Sequence, residues 1–134
     1  MMLPSLRTIV LSGLRNLIIP GAWTMSVAGG TSTAVESPPG TLTLTGDGTN
    51  QARGDQSIAT VVGRTYQITG TVIGSLTIGC AVGTSQGGIQ NLNANFLGNV
   101  TTTQLFIATA ATTWVRFSRT AAVAPAVITN ISCR

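Results

Sequence analysis

Regular alternation of apolar and polar residues on both sides of Gly74-Ser75 constrains the fold more than any other feature of this sequence. From Tyr66 to Val72 every second residue is apolar or glycine, and the residues between them are threonine or glutamine. The alternation resumes over residues 76–83. A period of two indicates a β-strand with one buried face, and a two-residue break containing glycine is typical of a hairpin turn. We therefore predict a β-hairpin over residues 65–83, with Gly74 at positive φ.

The rest of the chain after residue 16 is divided into short apolar runs by clusters of Gly, Pro and Asn. No segment after residue 15 has a helical period, and no repeat recurs at a fixed spacing. The chain is thus predicted to be all-β: an antiparallel β-sandwich of about eight to ten strands, specifically a jelly roll. A loop containing Glu36 precedes the third run. Outside the hairpin, strands are predicted at residues 17–19, 23–27, 41–45, 56–62, 89–97, 104–109, 113–119 and 126–133.

The length of 134 residues is that of one domain. We assign residues 16–134 to the sandwich and residues 1–15 to an apolar N-terminal arm. The apolar positions of the arm fit both a helical stripe and a strand alternation, so both conformations stay open. Its longest uncharged run, residues 8–14, is too short to span a membrane, and no cleavage site follows it. Synthesis in the cytoplasm is expected.

Charge is scarce in this chain. Only 7% of the residues are charged, against about 25% in ordinary soluble domains. The net charge of +4 comes from seven arginines without a lysine, and they are scattered rather than clustered with aromatics. That distribution argues against direct nucleic-acid binding. It favours a structural subunit whose arginines contact an acidic protein partner, although simple solvation of the arginines explains them equally well.

Catalytic and metal-binding chemistry has little to draw on. The chain has no histidine, and its carboxylates are Glu36, Asp47 and Asp55, each predicted to lie in a loop or turn. Glycine next to an Asp usually marks a turn former. Calcium at Asp47 and Asn50 would need several further oxygen ligands. We predict that the protein is not an enzyme and uses no cofactor or metal.

The two cysteines, Cys80 and Cys133, both lie in alternating runs. A free cysteine in such a position behaves as a small buried apolar residue. One disulfide is permitted but not required, because nothing else marks a secreted framework.

Residues 53–55 spell Arg-Gly-Asp, a tripeptide that integrin ligands display. Here it leads directly into a predicted strand, so adhesion is not inferred.

Aromatic residues are the candidates for stacking on sugars: Trp23, Tyr66, Phe96 and Trp114. Tyr66 has the inward register of the hairpin and is expected in the core. In residues 114–119, Val115 and Phe117 share one face of a strand and Trp114 and Arg116 share the other. Tryptophan and arginine on an outward face are typical of interface centres, although a loop could cover that face instead. The predicted partner contacts are Arg7 and Arg15 of the arm, together with a face formed by Trp114, Arg116 and Arg119.

The order of these features resembles the carbohydrate-binding-module-type jelly roll found in many bacteriophage structural proteins. The resemblance covers about residues 16–134 and implies fold more than function, since the module occurs both in sugar-binding enzymes and in virion parts. Val115-Arg116-Phe117 is one of the features that carry it, and the most specific pieces are the Gly-x-Thr-Tyr-x-Ile-x-Gly step of residues 63–70 and the terminal Asn130-Ile131-Ser132-Cys133-Arg134.

A jelly roll of this size with so little charge resembles the cement or decoration proteins of tailed-phage capsids. That resemblance implies a virion structural protein on the capsid exterior, made in the host bacterial cytoplasm. Its partner would be the major capsid protein, which it would bridge as a homodimer or other small oligomer, with no membrane contact. The alternative is a phage tail or baseplate protein, or a sugar-binding module for receptor recognition.

Overall fold

The computed structural model describes residues 15–119 and 123–134, and these residues form two five-stranded sheets. All strand pairings are antiparallel, and the described residues contain no helix. The predicted all-β sandwich is therefore confirmed. The strands are β1 (Thr24–Val27), β2 (Thr33–Glu36), β3 (Leu42–Thr45), β4 (Ala52–Ala59), β5 (Thr65–Ile73), β6 (Ile78–Gly83), β7 (Leu92–Phe96), β8 (Thr101–Ile107), β9 (Thr112–Arg119) and β10 (Ala126–Cys133).

We call the two layers sheet A, with strand order β1-β4-β9-β6-β7, and sheet B, with strand order β2-β3-β10-β5-β8. The described residues include no helix suited to crossing a membrane. Of the predicted arm, only Arg15 falls within the described residues, so the division at residue 15 stays a prediction.

The predicted hairpin over residues 65–83 is wrong, although both of its strands are present. β5 belongs to sheet B and β6 to sheet A, so the segment around Gly74 carries the chain from one sheet to the other. Gly74 has the predicted positive φ, at 89°. Each strand buries its apolar face, and placing the strands in opposite sheets turns those two faces toward one shared core.

The chain between residues 29 and 59 also differs from the prediction. β2 occupies residues that were predicted to be a loop, and β4 begins at Ala52 rather than at residue 56. Asp55 is therefore in the middle of a strand. Residues 17–19 form no strand; instead, Leu17 N donates to Cys133 O at 2.8 Å, and the Gln56 amide pairs with the backbone of Ile19 at 2.7 and 3.1 Å.

The core lies between the inward faces of the two sheets. Phe117 of β9 is its centre, with ring centroids 5.3 Å from Phe96 and 5.7 Å from Trp23. Burying an aliphatic or aromatic side chain of this size stabilises a fold by about 1.5–3 kcal/mol. Gly70 faces the same core, because a Cβ there would lie 2.8 Å from Ile128 Cδ1.

Both cysteines are free and buried, as the small-apolar interpretation predicted. Cys80 extends from sheet A and Cys133 from sheet B into the common core. Burial raises the pKa of the Cys133 thiol to about 12. Burial, with a smaller contribution from Cys133, also raises the pKa of Cys80. Both thiols are therefore protonated at neutral pH and act as packing groups.

Candidate functional site

The outward surface of sheet A, which we call face A, is built around Trp114 and Arg116 of β9. Strand pairing places Asp55 of β4 beside Arg116 on one side and Ala81 of β6 on the other. The same register sets Ser57 and Gly83 on either side of Trp114. Because directly paired residues of antiparallel strands point to the same face, these side chains share one surface.

Asp55 and Arg116 form a two-pronged ion pair at the centre of face A. Arg116 Nε donates to Asp55 Oδ1 at 2.7 Å, and Arg116 Nη2 donates to Oδ2 at 3.2 Å. The Asp55 side chain is 0% exposed, whereas that of Arg116 is 19% exposed. Such a pair fixes the plane of the guanidinium. Arg116 therefore presents its remaining N–H donors in one orientation.

The segment between β6 and β7, residues 84–91, covers the buried end of this pair. Gln86 Nε2 donates to Asp55 Oδ2 at 3.1 Å, and Gly87 lies against the Arg116 guanidinium. Gly83 has no room for a side chain, since a Cβ would meet Gln90 Oε1 and would lie 2.6 Å from the backbone carbon of Gly88. The segment thus forms a wall along one side of face A. The alternative that a loop covers this face is therefore correct for the part of it that holds Asp55.

Trp114 is the only aromatic side chain of the chain's six that is not buried, and all six lie in the described residues. Trp23 and Phe96 are in the core, which removes them as sugar-stacking candidates. Tyr66 is also in the core, as predicted: its ring stacks on Phe106 at 5.6 Å, and its hydroxyl accepts from Val61 N at 2.8 Å.

Arg119 is not on face A, which corrects the expectation that it shares a surface with Trp114 and Arg116. It has the inward register of Val115 and Phe117 and is 6% exposed. Arg119 Nη1 donates to the carbonyl of Thr77 at 3.3 Å. It therefore ties loops together at one end of the sandwich.

The other predicted contact residues are elsewhere. Arg15 is exposed, at a cleft on the sheet B side. Arg7 lies outside the described residues. That Arg7, Arg15, Trp114 and Arg116 touch a protein partner stays a prediction.

The remaining carboxylates serve the backbone. Glu36 accepts from the N–H groups of Gly21 at 2.6 Å and Gly40 at 2.7 Å. Asp47 accepts from the side chain and backbone of Asn50 and from two further backbone N–H groups, and these hydrogen bonds hold its pKa well below the usual range. Asp47 is thus a turn former, as predicted.

Within residues 15–119 and 123–134, no three His, Cys, Asp or Glu side chains come together to hold a metal. That the protein is not an enzyme and needs no cofactor stays a prediction.

Sequence reasoning missed two members of face A. Asp55 was predicted to lie in a turn, but the alternation of Ala52, Gly54, Gln56 and Ile58 was a signal that Asp55 points outward from a strand. Its burial also means that Arg-Gly-Asp is not displayed on a loop. Gln86 had no signal, because its role depends on how the segment after β6 folds back.

Comparison with solved structures identifies proteins of similar fold. No protein-family model and no curated protein matches the chain. A domain of tailspike protein 4 of bacteriophage CBA120, described as enzymatically active, matches with a TM-score of 0.59 and 16% identity over 84% of this chain and 19% of that chain. TmCBM61, solved in complex with β-1,4-galactotriose, matches with a TM-score of 0.59 and 12% identity, covering 90% of this chain and 99% of that chain.

The first carbohydrate-binding module of BiXyn10A matches with a TM-score of 0.58 and 17% identity, covering 77% of this chain and 79% of that chain. This chain therefore spans less than a fifth of the matched tailspike chain but the full length of an isolated module. At these identities the likeness shows the fold alone. The jelly roll of the carbohydrate-binding-module type is thereby confirmed, and the capsid-decoration prediction receives no support.

Proposed function

We propose that this protein is a non-catalytic sugar-binding module, and that a neutral oligosaccharide binds on face A against Trp114. The observation that carries the proposal is the placement of the one partly exposed aromatic ring of the chain beside a fixed arginine. Sugar binding was the alternative prediction from the sequence, and capsid decoration was the first.

Trp114 supplies the stacking surface. Its neighbours across the strands are Ser57 and Gly83, neither of which has a bulky side chain to cover the indole. An indole ring buries much apolar area with few rotatable bonds, so little conformational entropy is lost when a sugar ring packs on it.

Arg116 supplies directional donors. Two of its five N–H groups are directed at Asp55, and the others remain for sugar hydroxyls. Because Asp55 and Gln86 already hold the side chain in place, little rotamer entropy remains to be lost on binding. Asn93 and Asn95, exposed on β7 with the outward register, add amide donors and acceptors at the edge of the face.

The ion pair also indicates which sugars suit the face. Asp55 neutralises the charge of Arg116, so the pair itself has no net charge to attract an anion. Residues 84–91 bound face A on one side, and the strands β4 and β9 run side by side across the rest of it. An extended neutral chain fits such a surface better than a small enclosed ligand does.

The solved neighbours support this proposal through their common fold. TmCBM61 was solved with a bound galactotriose, and it is covered by this chain over almost its whole length. The tailspike match favours a bacteriophage tail or receptor-recognition structure as the setting. The capsid-cement role, the major-capsid-protein partner and the homodimer have no support in these matches.

The test is titration of the full chain with neutral oligosaccharides, beginning with a glycan array and continuing by calorimetry on the best hit. Trp114→Ala should weaken binding at least about tenfold, because stacking on an aromatic ring contributes about 1.5 kcal/mol or more. Trp114→Phe should recover part of the affinity. Ile73→Ala, which truncates an exposed apolar side chain on the other sheet, is the matched control. An array without hits, or equal binding by Trp114→Ala, would refute the proposal.

A further inference from the structure

A cleft on the sheet B side of the molecule, opposite face A, is lined by three of the seven arginines. Its volume is about 900 Å³, and its lining includes Arg15, Arg64 and Arg134. Arg64 precedes β5, Arg134 follows β10, and Arg15 belongs to the segment that runs beside the end of β10. We call this the basic cleft.

No acidic side chain in the described residues neutralises the basic cleft. Among the described residues, the one salt bridge joins Asp55 to Arg116 on face A. Arg15, Arg64 and Arg134 make no ion pair with an acidic side chain of those residues. The three carboxylate side chains of the sequence are all engaged elsewhere, and none lines the cleft. Three guanidinium groups with no acidic side chain among them form a positive site, because they outnumber the single α-carboxylate of Arg134.

Between the arginines the lining combines uncharged polar side chains with apolar ones, including Leu17, Val61 and Leu105. The outward side chains of β5 and β10 contribute Thr65, Gln67, Thr69 and Ser132. Hydroxyl and amide groups of this kind exchange hydrogen bonds with alcohols, while guanidinium binds carboxylate, sulfate or phosphate through two parallel N–H donors. The ligand that suits both features carries hydroxyl groups and negative charges on the same units.

We propose that the basic cleft binds an acidic saccharide, with Arg64 and Arg134 contacting its anionic groups. The preference for an anion rests on the cleft alone, whereas the choice of a saccharide rests on the proposed function. A nucleic-acid strand fits less well: Tyr66, the aromatic residue in the lining, is buried and stacked on Phe106, so no ring is free for a base.

The experiment compares two probes with the same backbone. Tetragalacturonate and its methyl ester differ in charge, and each is titrated into the full chain by calorimetry at low and at physiological salt. The acid should bind at least about tenfold more tightly than the ester, and added salt should weaken it. Arg64→Gln combined with Arg134→Gln should remove that difference. Both side chains are exposed, so the fold should be retained.

Arg53→Gln, on the outward side of β4, is the matched control because it also removes a positive charge. Its binding should stay within about twofold of the original. Trp114→Ala should leave tetragalacturonate binding intact even where it abolishes binding of neutral sugars, which separates this proposal from the one for face A. Equal loss in the Arg53 and Arg64 variants, or loss in Trp114→Ala, would overturn the site. Equally tight binding of inorganic phosphate or oligothymidylate would overturn the saccharide assignment.

Discussion

The two outer faces of the sandwich arise from the same alternating pattern but differ in what holds them together. Face A has an aspartate and an arginine on adjacent strands, joined by two hydrogen bonds and covered by residues 84–91. The outward surface of sheet B, which we call face B, has paired threonines instead. Thr71 and Thr101 hydroxyls are 2.8 Å apart, and those of Thr69 and Thr103 are 3.1 Å apart.

Face B also exposes large apolar side chains on the same strands, including Ile73, Leu105 and Ile107. Among the residues that the structure describes, its positive charge is confined to the basic cleft at one end. Face A concentrates its chemistry in the middle of the sheet, and face B has its chemistry at one end of its strands. Strand pairing alone therefore does not make a site; an organised charge pair or a cavity is also needed.

The largest effect should come from breaking the charge pair of face A. Asp55→Ala leaves Arg116 without its acceptor and should lower the free energy of unfolding by about 2–4 kcal/mol, somewhat below the value for a fully buried pair because Arg116 is partly exposed. Urea unfolding measures it.

Ser57→Ala, exposed on the same strand and the same face, should cost under about 0.5 kcal/mol. Similar effects for the two variants would show that the pair does not organise face A. A double-mutant cycle with Arg116→Gln gives the coupling between the two charges.

An intermediate effect is expected from moving the wall of face A. In Gly83→Ala the new methyl group collides with Gln90 and the Gly88 backbone, so residues 84–91 must shift, at a cost of about 1–3 kcal/mol. Gly79→Ala is the control, because its nearest neighbour is the flexible Ser118 hydroxyl at 3.2 Å. Amide hydrogen exchange should show looser protection at residues 84–91 in Gly83→Ala only. Unchanged exchange there would mean that the segment does not rest on Gly83.

The smallest effect should come from face B. Thr71→Val removes one hydroxyl of a solvent-accessible threonine pair and keeps the branched shape that suits a strand, so stability should change by less than about 0.5 kcal/mol. The free energies of unfolding of Thr71→Val and Asp55→Ala are measured in urea under the same conditions and compared directly. A loss of about 2 kcal/mol or more, the lower limit expected for Asp55→Ala, would mean that the threonine pairs hold face B as firmly as the ion pair holds face A.

Much of the fold was predictable because it depends on local pattern. β5, β6, β9 and β10 were all found where apolar residues recur at every second position. The predicted pairing of β5 with β6 was wrong, because the alternation shows which side of a strand is buried but does not show which sheet the strand joins. β2 was missed because four residues next to two prolines carry too little pattern.

The candidate site was predictable only in part. Trp114 and Arg116 were identified from their common register on β9, while Asp55 and Gln86 reach them from another strand and from a loop. Arg119 was misplaced because the alternation continues to the last residue of β9, which turns its side chain inward.

The sequence by itself determined an all-β chain with one buried face per strand, two cysteines suited to the core and little catalytic material, because these properties depend on composition and on spacing along the chain. Only the tertiary structure decided that Asp55 meets Arg116, that Trp114 alone among the aromatics stays unburied, and that three arginines line one cleft. Those relations join residues far apart in sequence, and they exist only after the two sheets have packed together.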